Sequence, residues 1–200
     1  MILIIDNTKN LNKAYMTPKL LDYLKLIKIN YSVVSKREDV NKIIYKFKDK
    51  IFGCILTGGP LCLSEELTID LINKNIAVLL ELKNIPILGI CFGYQIMVAS
   101  YGGKINSMSQ EDNGLFNLFK KKESYLLKDL PNKFKVFQSH KDMVSELPPT
   151  FEIIGVDNNN HIQIIENLEE KRWGVQFHPE GLCETQIILK NFIDICYNLY

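Results

Sequence analysis

The chain has 200 residues, 46% of them hydrophobic, enough for one sizeable core and within the usual range of a single domain. Lys and Arg number 24 against 23 Asp and Glu, a net charge of +1 that leaves no basic footprint for nucleic acid or an anionic membrane surface. The five cysteines, Cys54, Cys62, Cys91, Cys183 and Cys196, are odd in number and include no CxxC pair, which argues against a disulfide framework and a zinc site and for a reducing, cytoplasmic compartment.

ILIID at 2–6 is a continuous apolar run of the kind a strand buried on both faces shows. Thr17 and Pro18 then offer an N-cap and a first-turn proline, and Leu20, Leu21, Leu24 and Ile27 follow at helical spacing. YSVV at 31–34 reads as a second strand, residues 38–48 as a helix, and FGCILT at 52–57 as a third strand ending at Gly58-Gly59-Pro60. Apolar positions from Leu67 to Leu82 predict another helix, and PILGI at 86–90 a fourth buried strand. Alternating strands and helices over the first hundred residues imply an α/β fold with a mostly parallel central sheet flanked by helices.

After Gly103 the pattern changes. The runs YLL, KVFQSH, FEIIGV, HIQIIE and RWGVQFH follow one another with turn residues between them, predicting mixed or antiparallel strands appended to the sheet in the C-terminal half. A helix over 185–197 closes the domain, with Ile187, Ile188, Phe192 and Ile195 on one side. No repeat or long linker divides residues 1–200, so one domain is expected. No stretch approaches the roughly 20 apolar residues of a membrane span, and MILIIDNTKN lacks the basic region and cleavage site of a secretory leader.

Chemistry concentrates at Gly89-Ile90-Cys91-Phe92-Gly93, directly after the fourth strand. Glycines two before and two after a nucleophile are what a sharp strand-to-helix elbow requires, and a helix N-terminus favours the anionic, reactive thiolate. The same five residues also suit a buried structural cysteine in a glycine-rich turn. Three histidines are available as a base. His178, in WGVQFHPEG, has Glu180 two residues on to hold its second nitrogen and steady the imidazolium. His140, in FQSHKD, is the competitor, and His161 sits in a polar turn. The loop at Gly58-Gly59-Pro60 follows a strand, where its free N–H groups can join the amide of Phe92 as a two-donor oxyanion hole; it also reads as an ordinary turn.

Taken in order, LTGGP, LGICFGYQIM, YGGKI, VFQSHKDMVSELP and WGVQFHPEG make the chain resemble the class I glutamine amidotransferase domain over nearly its whole length. That resemblance implies Cys91 as nucleophile on the side-chain amide of glutamine, His178 as proton carrier and Glu180 as its orienting carboxylate. It implies Gly59 and Phe92 as oxyanion donors, Gln95 as a residue that helps hold glutamine, and main-chain groups at Ser139 and His140 for the substrate's amino-acid end. The products are glutamate and ammonia through a glutamyl thioester, with no cofactor and no metal.

SHKDMVSELP and LKNF are similar to stretches of the amidotransferase part of GMP synthetases, whereas Gly181 to Glu184 and SMSQEDNG depart from that subgroup. The sequence has no SGGxDS loop and no G-x-x-x-x-G-K-[ST] loop. The expected partner is therefore a separate ATP-dependent synthetase that receives the ammonia. The alternatives are a γ-glutamyl hydrolase of the same fold and a catalytically idle binding or regulatory module.

Overall fold

The computed structural model describes residues 1–8, 16–35, 38–64 and 69–198. In chain order its elements are β1 (Ile2–Ile5), α1 (Met16–Leu26), β2 (Tyr31–Val34), α2 (Val40–Phe47), β3 (Gly53–Leu56), α3 (Ile69–Glu81), β4 (Ile87–Ile90) and α4 (Phe92–Ser100). There follow β5 (Lys104–Lys120), β6 (Lys133–Glu146), β7 (Glu152–Asp157), β8 (Ile162–Asn167), β9 (Arg172–Val175) and α5 (Gln186–Asn198). Among the described residues the strands form one sheet in the order β2-β1-β3-β4-β9-β8-β7-β5-β6. The first five are mutually parallel, and each later neighbour is antiparallel, giving the expected parallel centre with an antiparallel extension.

The continuous apolar runs are buried on both faces because alternate side chains enter two cores. Ile2, Ile4, Ile55, Leu88 and Ile90 pack with Leu20 and Leu24 of α1 and with Ile188, Leu189 and Phe192 of α5. Leu3, Ile5, Cys54, Leu56 and Ile87 pack instead with Ile44 of α2, Val78 of α3, and Tyr94 and Met97 of α4. Cys54 and Cys196 are buried packing residues, and Trp173 is a core residue beside Phe192.

Three local expectations change. Thr17 lies inside α1 rather than capping it, its hydroxyl turned to Asp6 Oδ1 at 3.4 Å. The expected start of the third helix at Leu67 lies outside the described residues. YLL forms a short 3₁₀ turn, capped by the Ser124 hydroxyl, instead of a strand.

Residues 104–120, which show no clear strand pattern, form the 17-residue β5. Its pairing with β6 defines it, and a register break between Ser107 and Asp112 disrupts its alternation.

The strand order reverses between β1 and β3, and ligands of parallel sheets bind outside the carboxyl ends of the strands at such a switch. The loops after β1, β3, β4 and β9 all meet there.

Candidate active site

Cys91 links β4 to α4 with φ 50° and ψ −108°, a backbone region that residues with a Cβ rarely occupy. Its N–H donates to the Val175 carbonyl at 2.8 Å, which ties the elbow to β9. Both glycines are sterically required. A Cβ on Gly89 would lie 2.8 Å from the Tyr94 backbone, and one on Gly93 would run into the Leu56 carbonyl. The sequence spacing thus has a packing cause, a helix start pressed against two strands.

His178 follows β9 and faces the elbow. Its N–H donates to the Phe137 carbonyl at 3.0 Å, and its Nδ1 lies 2.9 Å from Glu180 Oε1. Pro179, Glu180 and Gly181 form a 3₁₀ turn that returns the carboxylate to the ring. Glu180 is buried, and its Oε2 has no protein partner. Burial works against a charged imidazole here, but the Glu180 carboxylate and the Cys91 sulfur outweigh it and raise the His178 pKa to about 10. With Nδ1 committed to Glu180, Nε2 is the nitrogen available to the thiol. A Cβ on Gly58 would sit 2.6 Å from His178 Cε1, so the loop after β3 presses directly on the ring.

These groups line one cavity of about 620 Å³, together with Gly59, Gln95, Ser139 and His140. The Ser139 carbonyl lies 4.0 Å from Cys91 Sγ. Gln95 stands one helical turn beyond the cysteine. Its Nε2 donates to the Asp142 carbonyl at 3.0 Å and to Gln176 Oε1 at 3.2 Å, leaving Oε1 as its free acceptor. Phe92 packs its ring against Leu61 and Ile96, while its amide is one of the unpaired N–H groups at the start of α4.

The class I glutamine amidotransferase family model matches residues 3–195. The chain belongs to this family. It is 31% identical to the glutamine-hydrolyzing subunit of the GMP synthase of Methanocaldococcus jannaschii, over 98% of this chain and 97% of that one. The same-named protein of Methanococcus aeolicus is 34% identical over 86% of this chain and 88% of its own. Among solved structures, a protein from Thermoplasma acidophilum described as the corresponding GMP synthase subunit superposes with a TM-score of 0.84 at 22% identity, covering 98% of this chain and 94% of that one.

The remaining sequence candidates of this amidotransferase divide cleanly. Cys62 joins the cavity wall; the exposed Cys183 is not among its lining residues. His161 pairs with Asp157 at 2.8 Å, away from the cavity. His140 lines the cavity, but its Nδ1 is bound to the Asp142 carbonyl at 2.9 Å and its Nε2 faces the Gln138 amide. Burial depresses its pKa to about 4, the Asp142 carbonyl opposing and the nearby His178 reinforcing the shift, so it is a neutral wall residue.

Sequence reasoning missed what holds the Gly58-Gly59-Pro60 loop. Asn7 N–H donates to Thr57 Oγ1 at 3.0 Å, and Asn7 and Asn75 exchange side-chain hydrogen bonds. The loop's far end is fixed by Asp142, whose carboxylate accepts the Ser64 N–H at 3.0 Å and the Ser64 hydroxyl. Strand alternation was the available signal for Asp142, since it places 138, 140 and 142 on one face of β6.

Proposed function

We propose that the chain hydrolyses glutamine through a Cys91–His178–Glu180 triad and passes the ammonia to a separate, ATP-dependent synthetase of the GMP synthase type. The observation that carries the reading is the His178–Glu180 pair at 2.9 Å set against a cysteine held at a strained elbow in one cavity.

Cys91 Sγ attacks the side-chain carbonyl carbon, and the oxygen takes up the electron pair as an oxyanion. The N–H groups of Gly59 and Phe92 stabilise that oxyanion, an interaction whose loss typically costs about 10²- to 10³-fold. His178, protonated in the resting site, gives its Nε2 proton to the leaving nitrogen, and ammonia departs as the C–N bond breaks. Water then attacks the glutamyl thioester, His178 takes up its proton, and glutamate leaves with the thiolate restored. Glu180 holds His178 through Nδ1 during both transfers. Gln95 Oε1 is the acceptor for the substrate's N–H groups, and main-chain groups at Ser139 and His140 receive the amino-acid end.

The synthetase partner is supported by relatives named as one subunit of a GMP synthase, which match this chain nearly end to end. By contrast, the chain spans 28% of the GMP synthase of Petrotoga mobilis. A cytoplasmic site of action fits five free thiols and the fact that no helix among the described residues is long and apolar enough to cross a membrane.

Acid quenching of the protein with excess glutamine, followed by mass spectrometry, tests the mechanism. A glutamyl group on the Cys91 peptide, absent with Cys91→Ala, is expected. Hydrolysis of γ-glutamyl peptides in preference to glutamine would overturn the amidotransferase assignment in favour of a peptide hydrolase.

A further inference from the structure

We infer that Asp142 and Ser64 form a latch that holds the loop after β3 in its catalytic position, making Asp142 a positioning residue for the oxyanion donor Gly59. The inference rests on the proposed role of Cys91 as nucleophile.

Residues 57–64 have no regular secondary structure, so side chains must fix them. The near end is held by Thr57 through Asn7. The middle is held by Leu61, which packs on Phe92 and Ile96 of α4. The far end is held by Asp142, a carboxylate only 1% exposed whose two oxygens both go to Ser64. Ser64 itself is exposed. A buried carboxylate left without donors is costly, so the two groups stay together in the folded protein.

The same residue reaches the elbow by a second route. The Asp142 carbonyl accepts from Gln95 Nε2 at 3.0 Å and lies 2.9 Å from His140 Nδ1. Asp142 therefore joins three parts of the site at once: strand β6, helix α4 behind the thiol, and the loop that carries Gly59. Freeing the far end of that loop lets the Gly59 amide wander from the oxyanion position, and a shift of about 1 Å in a reacting geometry can cost about 100-fold. Because the oxyanion exists only in the transition state, the loss falls on kcat while KM stays near its original value.

Glutamate release and amide hydrogen exchange over residues 58–64 are measured for the parent, Cys91→Ala, Ser64→Ala, Ser64→Thr and Asp142→Asn. Ser64→Ala is expected to lower kcat about tenfold with KM within about twofold, and to speed loop exchange. Ser64→Thr, which keeps the hydroxyl, restores both, and Asp142→Asn falls further than Ser64→Ala. If Ser64→Ala changes neither kcat nor loop exchange by more than about twofold, the latch is overturned. An equal rise in KM overturns the positioning role, since it reports a cavity that has collapsed.

Glutamate release that persists in Cys91→Ala refutes the nucleophile assignment, and the latch's catalytic role falls with it. If no variant releases glutamate, exchange decides: an unchanged loop refutes the latch, and a loosened one leaves a structural tie without the catalytic role.

Discussion

The Cys91 backbone is where function and stability oppose each other. A side chain at φ 50° and ψ −108° is strained by about 1–3 kcal/mol, and the strain persists because Gly89, Gly93 and the Val175 hydrogen bond hold the elbow. Glycine alone occupies this region without that penalty. Cys91→Gly is therefore expected to be more stable than Cys91→Ala by about 1 kcal/mol in denaturant unfolding, the reverse of the usual order, with both inactive.

The two cavity histidines bend the pH dependence of stability in opposite directions. His140 has an ordinary value of 6.5 and a folded value of about 4, so the unfolded chain binds the extra proton between them. Its contribution is complete above pH 6.5 and is lost as the pH falls through 4. Replacing it with Gln should remove up to about 3 kcal/mol of that acid-side loss. His178, raised to about 10, stabilises the fold fully below pH 6.5, and that share disappears as the pH rises through 10. The stability deficit of His178→Gln should therefore narrow on the alkaline side, as followed by urea midpoints from pH 6 upward.

Among the elements, α3 depends on a residue distant in sequence. Arg172, fully buried in β9, donates to the Leu82 carbonyl at 3.2 Å, to Ile85 at 2.9 Å and to Glu170 at 2.7 Å, and its Nε bonds to the Tyr101 hydroxyl at 3.2 Å. A fixed cation thus answers the negative end of the helix and its unpaired carbonyls. Lysine cannot reproduce that fork. Arg172→Met is expected to destabilise by about 3 kcal/mol or more, and Arg172→Lys to recover only a minor part, as measured by thermal and chemical unfolding.

Legibility in the sequence followed how local each element's cause was. The strands β1, β3 and β4 declare themselves by apolar runs ended by glycine or polar residues. The elbow declares itself because its two glycines answer clashes within a few residues of Cys91 or with the adjacent strand. By contrast, β5 owes its form to its pairing with β6 rather than to its own pattern, and the register break at Ser107 hides its alternation. YLL misled because three apolar residues suit a buried turn as well as a strand.

At the scale of the whole molecule, the sheet order assembles the site. Four parallel strands, β1, β3, β4 and β9, deliver their carboxyl-end loops to one cavity, with β6 as the opposite wall. The order of motifs announced this gathering, and the triad candidates could be chosen on spacing and chemistry. The supports behind them could not, because Asn7 meets Thr57 and Asn75 across 50 and 68 residues and Ser64 meets Asp142 across 78. Such contacts leave no periodic trace. In the proposed reading the cavity carries glutamine chemistry, and the use of the ammonia belongs to a second protein.

The most direct test is glutamate release from glutamine by this chain, assayed with the synthetase component of an archaeal GMP synthase and its nucleotide substrates, beside Cys91→Ala. The triad predicts release by the parent and a loss of at least about 10³-fold in the variant. Release that survives in Cys91→Ala, or a parent that stays silent with the synthetase present, would contradict it.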